Sequence, residues 1–344
     1  MDALALHHDA VVVDAHNDLI LVVDHFDARG RTDNFGEYWL PQLRAGGVDV
    51  QVLPICLHRP FQSEGGLRRT MLLIERIYRL ADQHADDVAI CLTADEVDAA
   101  VATGRIALII ALEGGHAIGQ DAALIRTLFR VGVRVASLAH NGRTFLADGS
   151  GLDASSRSRL TPEGVEVFTE MESLGMVFDI SHLGIAGVDD VLERATRPLL
   201  ATHSACLALT DTHRNLGDPQ IKRIAELGGV VHVAAAVPQF VDPKNPSAER
   251  VVDHVEHLIE VAGVDHVGIG PDFMDDYMQN VYGQWLFPPG IEPHEVPADV
   301  ERPADLPKLT EVMVRRGFAE ADIRKVLGGN ALRVLHDVMG VPKR

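Results

Sequence analysis

Cysteine is scarce: the 344 residues contain three, Cys56, Cys91 and Cys206, with no CxxC pair among them. Nothing here resembles a disulfide framework, and the three thiols are expected as buried apolar side chains in a reducing compartment. Basic residues are outnumbered, 31 Lys+Arg against 50 Asp+Glu, for a net charge of -19. A nucleic-acid partner needs a basic footprint, so that class is excluded. No apolar run approaches the ~20 residues that span a bilayer. The amino terminus shows no basic stretch followed by a long apolar one, and the Val-Pro-Lys-Arg end has no apolar tail. No secretion signal or lipid anchor is therefore expected, and the expected location is cytoplasmic. Gly/Ser-rich linkers and internal repeats are missing too, so no domain boundary is visible.

What is present is a regular alternation. Apolar runs occur at Ala10–Asp14, Val48–Ile55, Ile106–Leu112, Val133–Leu138, Met176–Ile180, Leu199–Thr202, Gly229–Ala234 and His266–Ile269. Their unbroken Val/Ile/Leu/Ala character suits parallel strands covered on both faces. Helical patterns lie between them, for example Arg68–His84 and Glu249–Ala262 with Gly263 as a stop. Thr161-Pro162-Glu163 reads as an N-cap followed by Pro at the first helical position. Eight strands joined by helices predict one α/β domain over 1–344, a (β/α)8 TIM barrel. The irregular stretch 274–307 carries Tyr277, Tyr282, Trp285 and Phe287. It follows the last strand, where a lid over the catalytic face is expected.

Polar residues able to do chemistry stand at the carboxyl ends of those runs, and in a barrel such ends converge on one face. His16 and Asp18 close the first run, two apart and so on one side of an extended chain. Glu113 closes the third, where a carboxylate after an apolar run must be paired, protonated or metal-bound. Gly114-Gly115 let the backbone turn beside it. His140, His182 and His203 close the next three runs, and Asp272 the last. Any one of these alone is an ordinary rim residue; together, at one level, they predict a metal site. Arg214, in the loop after His203, is the cation able to grip a substrate carboxylate bidentately. The other histidines read as weaker candidates. His116 is expected to be structural, and His232 and His266 barrel-filling or hydrogen-bonded. His7, His8, His25, His58, His84, His254, His257, His294 and His336 are expected at the surface.

In this order the segments Asp14–Leu19, Glu113–His116, Asp179–His182, His203–Ser204 with Arg214-Asn215, and Gly268–Phe273, with the tail Gly328–Val334, resemble the renal or membrane dipeptidase family. Those are zinc peptidases of the amidohydrolase superfamily. The resemblance implies two zinc ions, one held by His16 and Asp18 and one by His182 and His203, with Glu113 and a hydroxide between them. His140 would polarise the scissile carbonyl, Arg214 would receive the carboxylate of a dipeptide, and Asp272 would carry the proton. The resemblance also implies a homodimer and tolerance of a carboxyl-terminal D-residue. Animal members follow their His-Asn-Asp-Leu with Pro-Trp, where this chain has Ile20-Leu21, and their Asp-Phe-Asp-Gly reads Asp272-Phe273-Met274-Asp275 here. A different preference for the amino-terminal residue is therefore expected. Two other readings fit the same residues: a binuclear amidohydrolase acting on a non-peptide amide, β-lactam or lactone, and a catalytically silent metal- or peptide-binding barrel.

Overall fold

The apolar runs pair as parallel strands in a computed structural model describing residues 2–57, 62, 65–152, 158–281 and 300–341. β1 (Val12–Asp14), β2 (Val48–Cys56), β3 (Val88–Ile90), β4 (Ile106–Glu113), β5 (Val133–Ala136) and β6 (Val177–Phe178) form one sheet, ordered β1-β2-β4-β5-β6 with β3 on β4. β7 (Leu200–Ser204), β8 (Val230–Val233) and β9 (Val267–Ile269) form a second. A parallel bridge between Asp179 and Leu200, with Ile180 N–H donating to the Leu200 carbonyl, joins the two sheets. At the other seam Ala15 N–H donates to the Ile269 carbonyl and Asp272 N–H to that of His16. The strands therefore run in chain order around an α/β barrel, as the sequence predicts. β3 is the addition, a three-residue edge too short to register as an apolar run.

Period-two alternation divides the strand residues between two packing layers. Ile106, Leu108, Ile110 and Leu112 face outward into the core shared with the surrounding helices. Ala107, Ile109 and Ala111 face inward with Val13, Val50, Val52, Val135, Val177, Leu200 and Val230. Ala331, Val334, Leu335 and Val338, from the helix Asn330–Val338, join that inward set. Truncating a fully buried member such as Ile109 to Ala is expected to cost roughly 2–5 kcal/mol.

The helices begin where their caps say. Thr161 accepts from Gly164 N–H ahead of the helix Pro162–Leu174, and Ser247 accepts from Arg250 N–H ahead of Ala248–Ala262. Of the stretch 274–307, the described residues contain a helix at Asp275–Asn280 and a short 3-10 turn at Pro303–Asp305. Tyr277 is buried, and Tyr38 donates its hydroxyl hydrogen to Asp276 Oδ2 at 2.8 Å. Tyr282, Trp285 and Phe287, on which the expected lid depended, lie outside the described residues, as do His58 and His294. No helix among the described residues is long and apolar enough to cross a membrane.

Candidate active site

Alternation sends Glu113, the last residue of β4, to the barrel interior. Its Oε1 lies 2.8 Å from His182 Nε2, 3.4 Å from His203 Nε2, 3.7 Å from His16 Nε2 and 3.9 Å from His140 Nε2. Four imidazoles from four strand ends thus converge on one carboxylate oxygen. Their rings pack against one another, His16 on His203 at 3.6 Å between centroids and His140 on His182 at 4.1 Å. His16 Nε2 also lies 4.0 Å from Asp272 Oδ1. Donor atoms of His16, Asp18 and Asp272 are within 4.8 Å of one another, and so are those of His16, Glu113 and His203. All the residues expected to hold metal therefore share one pit, and His140, Asp272 and Arg214 border it.

Backbone geometry aims these side chains. Gly114 turns with φ of +92°, and the turn is anchored by its N–H donating to Ser137 Oγ. Gly149 lies against the His140 carbonyl, leaving no room for a side chain. Two non-glycine residues adopt positive φ among the described residues, His182 at +70° and Asp272 at +58°. Left-handed backbone is unfavourable for such residues, and it recurs where a site needs a particular direction.

The second nitrogen of His182 and of His203 is also held. His182 Nδ1 is 3.0 Å from Asn141 Oδ1. His203 Nδ1 is 2.9 Å from Thr202 Oγ1, whose hydroxyl donates to Asp179 Oδ2 at 2.7 Å. Asp179 further accepts from the N–H groups of Ser181 and Thr202. With Nδ1 carrying the proton, each ring presents Nε2 with a free lone pair, the arrangement typical of metal-binding histidines.

The charge states agree with that role. Burial pushes His182 and His203 well below the usual histidine range, with Arg214 adding to the effect, so both are neutral at pH 7. Burial works against ionising Glu113, but His16, His140 and His182 outweigh it and hold the carboxyl well below its ordinary value. Asp18 is raised by burial and by its neighbours Glu113 and Asp272. Burial lifts Asp272 to about 6; Glu113 adds to that, and His16 and Arg214 oppose it. Two atoms at the centre lack partners: Asp18 Oδ1 and His203 Nε2 are buried without a hydrogen bond. A buried acceptor left unmatched costs free energy. Divalent cations bound in the pit would satisfy these atoms, so the donor set fits a metal.

Arg214 is buried beside this cluster. Its Nη2 donates to the His203 carbonyl at 3.4 Å, its guanidinium lies 4.9 Å from the centre of the Phe240 ring, and its Nε has no partner. Burial lowers its pKa to about 10, opposed by Asp272, Glu113 and Asp179, and it stays charged at neutral pH. Ser204 Oγ donates to the Arg214 carbonyl and fixes the loop.

Some expectations need correction. His7 and His254, expected at the surface, are buried: His7 bridges Thr310 Oγ1 and the Gly46 carbonyl, and His254 bridges Cys206 N–H and the Val241 carbonyl. Apolar neighbours on the amphipathic helix Ala248–Ala262 cover His254, which residue type alone does not reveal. His84 is partly buried against Asp33. His232 and His266 are hydrogen-bonded as expected, His232 within β8 to the Ala201 carbonyl and His266, in a 3-10 turn before β9, to the Gly229 carbonyl. Cys91 and Cys206 are buried thiols as expected, whereas Cys56 is buried at the rim beside Glu113. Sequence reasoning also passed over Asn141, Thr202 and Phe240. For Asn141 and Thr202 a signal existed, since each directly adjoins a site histidine.

Known proteins resemble this chain along nearly its whole length. The chain is 30% identical to the dipeptidase verJ of Clonostachys rogersoniana over 352 residues, covering 98% of this chain and 86% of that protein. A crystal structure described as the dipeptidase AC, a metallopeptidase of family M19, superposes with a TM-score of 0.84 at 27% identity, covering 96% of this chain and 99% of that one. A metallopeptidase from Rhodobacter sphaeroides, solved with a phosphinate mimic of the dipeptide L-Ala-D-Ala, gives 0.83 at 25% identity, with 96% and 99% covered. The model of the membrane dipeptidase family, peptidase family M19, matches residues 1–344, and the chain belongs to that family.

Proposed function

We propose that this chain is a dipeptidase working with two divalent cations, zinc in the first instance. His16 and Asp18 would hold one and His182 and His203 the other, with Glu113 common to both. Bound there, the cations supply Lewis-acid polarisation of the amide carbonyl and a water more acidic than bulk water. The observation that carries the reading is Arg214, a buried guanidinium with an unpartnered N–H against the backbone of His203. A carboxylate is the natural partner for such a fork.

The chain's own residues then divide the work. Arg214 receives the free carboxylate of the substrate, and Phe240 limits how far the guanidinium plane can tilt. Anchoring the carboxylate this close to the cluster leaves room for one residue beyond the scissile bond. Asp272, with a pKa near 6, accepts a proton from the attacking water and returns it to the departing amine, as an acid–base group matched to neutral pH. His140, lowered by burial and so neutral, donates an N–H to the oxyanion that develops on the carbonyl. Recognition through the carboxylate is indifferent to the chirality of the residue that bears it. Dipeptides ending in a D-residue are therefore included as substrates, and the L-Ala-D-Ala mimic held by the Rhodobacter relative supports that extension.

A chiral dipeptide panel, assayed together with the metal content of the same preparation, tests the reading. Release of free amino acids with two equivalents of metal is expected. His140→Ala should retain both metals and lose ~10²–10³ in kcat, the cost of one oxyanion donor. Arg214→Ala should chiefly raise KM for dipeptides. An inert panel, or an unchanged KM in Arg214→Ala, overturns the assignment.

A further inference from the structure

Cys56 is the side chain at the rim that the proposed reaction leaves unused. Positions 50, 52, 54 and 56 of β2 share the barrel's inner face, and the parallel register places Cys56 directly beside Glu113. The residue is 7% exposed and buried against the Glu113 carboxylate. Cys56 Sγ, a Glu113 oxygen and a His140 ring nitrogen all lie within 4.8 Å of one another. The other two thiols contrast with it: Cys91 donates to the carbonyls of Ala89 and Glu96, and Cys206 to that of His254. Those two are tied to backbone, whereas Cys56 faces two further donor side chains.

We propose that Cys56 and His140, with Glu113 shared with the cation pair, form an adjoining position for a soft divalent cation, such as cadmium or excess zinc, and that filling it inhibits the enzyme. One sulfur, one nitrogen and one oxygen are a donor set zinc accepts, and the thiolate tilts selection towards softer ions. The five residues assigned to the cation pair offer only nitrogen and oxygen, so a thiophilic ion distinguishes this position from them. As the sulfur–metal bond forms, the Cys56 proton passes to the buffer. His140 must then offer a nitrogen lone pair to the ion, and that nitrogen can no longer donate a hydrogen to an oxyanion. The inhibition rests on the dipeptidase reading of His140; the cation position itself does not.

The test is a cadmium titration of the protein carrying its own metals, following thiolate-to-cadmium absorption in the ultraviolet and dipeptide turnover in the same samples. In the unaltered chain the absorption should rise as turnover falls, with a common midpoint. Cys56→Ser should abolish the absorption and raise the inhibitory cadmium concentration roughly tenfold or more, the scale on which losing metal-site partners weakens binding. Cys91→Ser, at a distant buried thiol, should leave both curves in place. X-ray absorption of the cadmium form of the unaltered chain gives an answer that does not depend on any variant folding: a Cd–S shell is expected. A shell of nitrogen and oxygen alone, or absorption persisting in Cys56→Ser, overturns the proposal. A chain that cleaves no dipeptide but shows the Cd–S shell ends the peptidase reading and leaves this one; a dipeptidase without that shell does the reverse.

Discussion

Two groups of buried histidines, those of the catalytic rim and those of the helical shell, differ in what their second nitrogen meets. In the shell both nitrogens of His7 and of His254 are bonded to backbone groups or a hydroxyl. At the rim one nitrogen of His182 and His203 is fixed by a neighbour, while the other turns towards Glu113. A shell histidine closes its own accounts. A rim histidine keeps one lone pair free for a ligand, and His203 Nε2 makes no hydrogen bond. Burial is the same in both regions, so burial does not identify function; nor does an open nitrogen alone, since His232 Nε2 inside the barrel also lacks a partner, and what marks the rim is an open nitrogen turned towards a carboxylate.

The largest difference should come from Glu113, on which the rim converges. Glu113→Ala is expected to empty the site of metal and to reduce turnover by more than the ~10³ that one oxyanion donor is worth. Elemental analysis alongside a dipeptide assay reads both; full metal content in that variant would break the comparison. Thr202 should give a smaller effect, because it acts through His203. Thr202→Val removes the hydroxyl between Asp179 and His203 Nδ1 and should weaken metal affinity ~10–100-fold, the usual cost of losing an outer partner of a ligating histidine. Thr202→Ser should restore it, measured by chelator competition. Smallest for activity is the shell: His254→Ala leaves Cys206 N–H and the Val241 carbonyl without their partner, at ~1–3 kcal/mol for a buried group left unsatisfied. Tm should fall while kcat per folded molecule and metal content hold. A loss of metal there would erase the distinction between the two regions.

Much of the rim was legible because strand ends are legible. An apolar run that stops at a histidine or a carboxylate gives both the strand and the direction of its end, and six of the eight runs supplied the histidines and carboxylates of the rim from His16 to Asp272. The barrel followed from the same runs, as did helix starts marked by a cap such as Thr161. Legibility stopped where position depends on three-dimensional neighbours. Cys56 reads as one more apolar residue until the register with Glu113 is known. Phe240 reaches Arg214 from the short helix Pro238–Val241, and no spacing connects the two in sequence. His254 sits on the buried side of its helix, which the surrounding apolar residues imply but the residue type does not.

The left-handed backbone at His182 and Asp272 has a consequence for anyone trying to make this protein sturdier. Each such residue carries ~1–3 kcal/mol of conformational cost that glycine would remove. A search guided by thermal robustness alone would be drawn to these two positions and would discard an imidazole and a carboxylate in exchange. Improvement of the scaffold therefore has to come from elsewhere, with both torsions left as they are.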